Sequence, residues 1–293
     1  MNDQRRHLLL AGLGAAVLPT VGLAQHEGGS KPTLGVVLGG GSARGFAHIG
    51  VIKAIEAAGL RPDVIVGCSA GSLIGALWAA GFTGNQMEDL ALKVRDEEII
   101  DLVAGTGARG MVTGRSLQDF VNRQVQNRPI EALPTRFIAV ATQFPSGEMS
   151  TFSRGDTGFA VRASCAIPGV FIPASDGQRE YLDGGLVSPI PVQTARKAGA
   201  ELIVAVDIAT PETNPGATPG LYGLLLRSFE IMGQSLRTHD VAQADLVIRP
   251  PIGHIPSTDF NARKVLIAAG QQAGARMAPL IRERLVRNVR RKG

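Results

Sequence analysis

The sequence predicts an α/β fold, a three-layer sandwich on a mostly parallel central sheet. Three observations carry that expectation. After residue 32, apolar strand-like runs alternate with helix-like runs through glycine-rich turns, the order of a βαβα unit with parallel strands and a right-handed crossover. Hydrophobic residues make up 44% of the chain but aromatics only 4%, which suits small side chains packed between helices and a sheet. The 293 residues carry no repeat at solenoid periods, and nothing divides 33–293, so that span reads as one domain.

The elements follow in chain order. Residues 1–24 have a basic start, an apolar run from Leu8 to about Leu18 and a small-residue end at Gly22-Leu23-Ala24, the layout of an export signal cleaved after Ala24. Arg5-Arg6 directly before the apolar run fits twin-arginine export, although His-Leu-Leu follows the pair. The expectation is an exported protein, periplasmic or secreted; an uncleaved anchor stays open, since the run is near the short limit for a span. Residues 25–32 are a polar linker. "TLGVVLG" (33–39) is a buried strand, 39–45 a glycine turn, 46–60 a helix stopping near Gly59, 63–67 a second strand and 72–81 a second helix. Residues 86–126 are largely helical, broken by "AGTGARGMVTG" (104–114), whose glycines suggest a lid. A strand at 135–144, a helix from near Asp156 to the Ile167-Pro168-Gly169 break and a short strand at 179–185 come next. The helix 192–200, the strand 202–208, a loop at 210–220, a helix, the strand 246–250 and a long helix from Arg263 complete the domain.

Formal net charge is +5, of which the leader's Arg5, Arg6 and Asp3 supply one, leaving +4. Much of it sits in "RERLVRNVRRKG", where Met277, Ile281, Leu285 and Val289 recur every fourth residue as an apolar stripe. One reading is a terminal helix packed on the domain with cations at its favourable end. The other is peripheral contact with an anionic membrane. No nucleic-acid partner is expected. Cys68 and Cys165 do not make a disulfide framework, and no Cys/His spacing resembles a zinc site, so no metal or cofactor is expected.

The chemistry concentrates in three turns. Gly67-Cys68-Ser69-Ala70-Gly71 lies between a strand and a helix, the context in which such a serine is a nucleophile on a sharp elbow. Its flanking glycines, Gly67 and Gly71, permit the tight turn. "LGGGSARG" (38–45) offers converging backbone N–H groups for an anion, and for acyl transfer that anion is the tetrahedral oxyanion. A dinucleotide loop fails, because Ser42 falls on the middle glycine of Gly-x-Gly-x-x-Gly counted back from Gly45. A Walker loop lacks its Gly-Lys-Ser/Thr ending.

A serine nucleophile needs a base. His7 lies in the leader and His26 in the linker; His48 begins the first helix; His239 and His254 come late, without an obvious strand-end turn. Asp183 in "YLDGG", between a short strand and Gly184-Gly185, is the better placed, although Asp-Gly turns on surfaces are common.

Together these motifs resemble the patatin-like phospholipases, especially their bacterial branch. The resemblance rests on "VVLGGGSARGFAHIGVIKAIEAAGLRPDVIVGCSAGSLIGAL" and "RASCAIPGVFIP…YLDGGLV", and runs from about Thr33 to Asp207. It implies patatin-like topology and a lipid acyl ester hydrolase of phospholipase A, lysophospholipase or esterase type. It implies Ser69 as nucleophile and Asp183 as base with no histidine. Gly40, Gly41 and Ser42 would supply the oxyanion hole, shaped by Arg44. The departure is Ser42, where many members have another glycine. A carboxylate of ordinary pKa, about 3.9, is a weak base for serine, so burial has to raise it. Two readings remain open: a Ser-His-Asp esterase using His239 or His254, and a non-catalytic exported lipid-binding protein of the same fold.

Overall fold

The computed structural model describes residues 33–103, 109–209 and 220–290. The expected leader and linker, residues 104–108 of the expected lid, and the loop up to residue 219 lie outside them. Eight strands form one sheet: β1 (Leu34–Leu38), β2 (Val64–Cys68), β3 (Arg136–Phe144), β4 (Met149–Phe152), β5 (Ala174–Ser175), β6 (Glu180–Asp183), β7 (Leu202–Val206) and β8 (Leu246–Ile248). The helices are α1 (Phe46–Ala57), α2 (Ala70–Ala79), α3 (Gly84–Lys93), α4 (Arg115–Gln124), α5 (Thr157–Ser164), α6 (Val192–Lys197), α7 (Gly220–Val241) and α8 (Arg263–Arg290).

β1 lies between β2 and β7, with β3 beyond β2 and β8 beyond β7, all parallel. Every residue of β1, β2 and β7 is buried, as expected for parallel strands covered on both faces. One face packs Val36, Ile65 and Val204 against Ile49 and Ile52 of α1 and Leu266 and Ile281 of α8. The other packs Val37, Val66 and Ile203 against Val192 and Ala195 of α6. Helix, sheet, helix is the three-layer arrangement the sequence predicts.

The antiparallel strands were not all legible. β4 reads Met-Ser-Thr-Phe with alternating exposure and β5 has two residues, so neither carries an apolar run. They matter because of register. β4 pairs with Ala139–Thr142 of β3, overlapping both the stretch taken by β2 (Arg136–Val140) and the stretch taken by β6 (Ala141–Phe144). A strand residue has one partner per edge, so β2 and β6 share the other edge of β3 and run towards each other. Their last residues, Cys68 and Asp183, stand opposite the consecutive residues Val140 and Ala141.

The stripe on α8 is used internally: Ile281 and Leu285 are buried, and Met277 packs on the same core. Arg276, Arg282, Arg284 and Arg287 remain exposed. Among the described residues, no helix is long and apolar enough to cross a membrane.

Candidate active site

Only Ser69 separates the end of β2 from the start of α2, at φ 52° and ψ −126°. For a residue with a side chain this backbone costs about 1–3 kcal/mol and has to be held by its surroundings. The turn is tight because α2 doubles back against the strands. A Cβ at Gly67 would stand 2.5 Å from the Gly71 carbonyl oxygen, and one at Gly71 would stand 2.1 Å from that of Leu38. Both obstacles are backbone, which cannot swing aside. Gly71→Ala is therefore expected to destabilise the fold by at least about 1–3 kcal/mol, read as a lower denaturant midpoint.

The backbone of Ser69 is fully engaged. Its carbonyl accepts from Ser72 N (2.8 Å) and Ser72 Oγ (2.7 Å), and its N–H donates to Ser164 Oγ at 2.9 Å. Its side chain is left at the start of α2, where the helix dipole favours negative charge.

Asp183 ends β6 and is pinned at three points. Its N–H donates to the Ala166 carbonyl (2.9 Å), its carbonyl accepts from Thr142 Oγ1 (2.8 Å), and Oδ1 accepts from Gly185 N (2.7 Å). Gly184 lies against the Val140 carbonyl, where a Cβ would be 2.2 Å away. Burial pushes the Asp183 pKa up to about 6, and the nearby Ser69 hydroxyl and the Gly185 N–H hold it from rising further. Oδ2 is buried and accepts no aligned hydrogen bond among the described residues. Ser69 and Asp183 are thus near neighbours with no direct hydrogen bond between them in this structure. Both are 6% exposed.

The glycine turn is partly as expected. Gly39 N donates to Val206 O (3.1 Å) and Gly40 N to Pro189 O (3.0 Å), so Gly40 has no N–H left for an anion. The expected set of three amides narrows to those of Gly41 and Ser42, which donate to no acceptor among the described residues. Ser42, at φ 50°, opens a 3-10 turn closed by Arg44 N to Gly41 O (3.1 Å), and Ala43 N donates to Ser257 O (2.9 Å). Arg44 is buried, and its Nε donates to Ile255 O at 2.8 Å, bracing the turn against the 255–257 segment.

The histidines go elsewhere. His48 is buried, and its Nε2 meets the Gly39 carbonyl at 2.8 Å; since a carbonyl only accepts, that nitrogen carries the proton. Burial lowers its pKa to about 4, so it stays neutral behind the glycine turn. His239 and His254 are exposed and do not line the cavity at Ser69. Cys68 and Cys165 are buried and unpaired, and burial raises both thiol pKa values, which disfavours thiolates.

Gly41, Ser42, Ser69 and Asp183 line one cavity of about 640 Å³, within the usual range for small-molecule sites. Its walls are mostly apolar, with Leu73, Ile74, Val112, Leu117 and Phe171 prominent. The described part of the expected lid is tied down: Met111 N and Val112 N both donate to Val170 O, and Ile172 N donates to Val112 O. It is a fixed wall. The opposite wall is α7, which no motif marked for this role. Sequence reasoning also passed over Ser164 and Thr142. Ser164 stands 95 residues from Ser69, and no spacing rule links such positions, although it lies within "RASCAIPG".

The family model described as Patatin-like phospholipase matches residues 36–196. An uncharacterized NTE family protein of Mycobacterium tuberculosis is 34% identical over 199 residues, covering 68% of this chain and 55% of that protein. The human patatin-like phospholipase domain-containing protein 6 is 30% identical over 275 residues, covering 83% of this chain and 20% of that protein. The chain therefore spans about half the length of the mycobacterial relative and a fifth of the human one. Among solved structures, VipD from Legionella pneumophila superposes with a TM-score of 0.60 at 14% identity, over 85% of this chain and 67% of that one. That likeness is one of fold.

Proposed function

The chain belongs to the patatin-like phospholipase family, and on that premise we propose that it hydrolyses acyl ester bonds of lipids through a Ser69–Asp183 dyad. One observation carries the reading. Two motifs more than a hundred residues apart end opposite consecutive residues of β3, and both open into the same apolar cavity. Ser69 Oγ attacks the ester carbonyl as its proton passes to Asp183 Oδ2, the oxygen without a partner among the described residues. The Gly41 and Ser42 amides meet the oxyanion, each such donor typically contributing about 2.7–4 kcal/mol to the transition state. Asp183 returns the proton to the departing alcohol, then takes one from water, which releases the fatty acid from Ser69 and restores the enzyme.

The cavity's exposed lining favours a lipid substrate over a small soluble ester. Ile100, Ile231, Met232, Leu236 and Phe260 line it and are also solvent-exposed. Apolar side chains around an apolar cavity suit contact with a lipid surface. The layout of residues 1–24 supports an exported enzyme.

The test is mass spectrometry of phospholipid vesicles incubated with wild type and with Ser69→Ala. The expected result is free fatty acid from wild type alone; equal release from both sinks the proposal. Because the base works as a carboxylate, kcat/KM is expected to rise about tenfold per pH unit below about 6 and to level off above it. A midpoint near 4 or near 8 would point to another group.

A further inference from the structure

We propose that Ser164 is a positioning residue for this reaction, acting through the backbone of Ser69; the inference rests on Ser69 being the nucleophile. Ser69 is held at a positive φ between β2 and α2, and its N–H leaves the strand ladder there. The acceptor it finds is Ser164 Oγ at 2.9 Å, on the last residue of α5 and fully buried. Ser164 Oγ in turn donates to Val140 O at 2.6 Å. Val140 is the β3 residue opposite Cys68, so the chain of bonds ties the elbow back to the sheet that positions it.

The same segment holds the second group. Two residues on, the Ala166 carbonyl accepts the Asp183 N–H at 2.9 Å. The end of α5 and the turn after it therefore grip the nucleophile and the carboxylate together, and their separation depends on one short piece of chain. Only a hydroxyl fills the Ser164 position, because it has to accept from Ser69 and donate to Val140 at once. Alanine does neither, and a thiol does both weakly. Ser164 does not line the cavity, so it does not touch substrate, and its effect belongs in kcat rather than in KM.

The experiment measures kcat per active site in Ser164→Ala, with sites counted by fluorophosphonate labelling. The expected result is labelling of nearly all molecules at a reduced rate, kcat per site lower by about tenfold to a hundredfold, and KM within about twofold. The pH midpoint should stay where it is, since Asp183 keeps its own contacts. Ser164→Cys, nearly isosteric, should fall between wild type and alanine, and it decides the question if the alanine variant does not fold. A kcat per labelled site within about twofold of wild type would overturn the proposal, whatever the yield of active protein, because a purely structural role lowers the number of sites and not the rate at each. Failure of the parent reading looks different: wild type would not label, or Ser69→Ala would.

Discussion

Asp183→Asn is expected to cut ester turnover by about 10²–10⁴-fold and at the same time to make the protein more stable at pH 8. The rate loss follows from removing the carboxylate beside Ser69 that takes its proton. The stability gain follows from the sign of the pKa shift. Asp183 titrates at about 6 in the folded protein and near 3.9 in the unfolded chain. The folded state binds the proton more tightly, so the contribution of Asp183 to stability is greatest below about pH 4, declines as pH rises from about 4 to about 6, and stays lower above that. A shift of this size corresponds to roughly 3 kcal/mol at full ionisation, an upper bound because the asparagine amide also needs an acceptor. Thermal melts of wild type and Asp183→Asn should therefore separate by several degrees at pH 8 and nearly coincide at pH 4. Equal melting temperatures at both would mean that the carboxylate is not held at a cost.

Ser69 gives the second large effect. Ser69→Ala should lower kcat by about 10⁶-fold, the scale seen when a serine nucleophile is removed, and should abolish fluorophosphonate labelling. It should leave stability nearly unchanged, because alanine has the same difficulty at φ 52° and ψ −126°. Ser69→Gly should be equally inactive yet more stable than the alanine variant by about 1 kcal/mol, since glycine adopts that backbone readily and loses part of the gain to chain entropy. Chemical denaturation of the two variants side by side reads the difference. If Ala and Gly unfold at the same midpoint, the elbow is not strained.

Much of this was legible in the residues. β1, α1, β2 and α2 follow from buried apolar runs broken by glycines, and α2 begins at Ala70 rather than Ser72 because the elbow needs a single linking residue. The helix expected from near Asp156 is α5, and the Asp156 side chain caps it by accepting from Phe159 N. Ser69 and Asp183 were visible because turn chemistry is local. What stayed hidden is what depends on distant backbone. Gly40 lost its N–H to Pro189, 149 positions along the chain, and no pattern within "LGGGSARG" announces that. Likewise β4, which fixes β2 and β6 to one edge of β3, is half exposed and short. The wall supplied by α7 depends on how a helix from the last third of the chain folds back over the cavity.

In the proposed reaction an aspartate, and no histidine, serves Ser69. Hydrolysis of a p-nitrophenyl ester at pH 8 by Asp183→Asn and by the double variant His239→Ala/His254→Ala tests it most directly. The double variant should keep kcat within about twofold of wild type while Asp183→Asn loses at least about 10²-fold. Loss of turnover in the histidine variant with Asp183→Asn still active would contradict it.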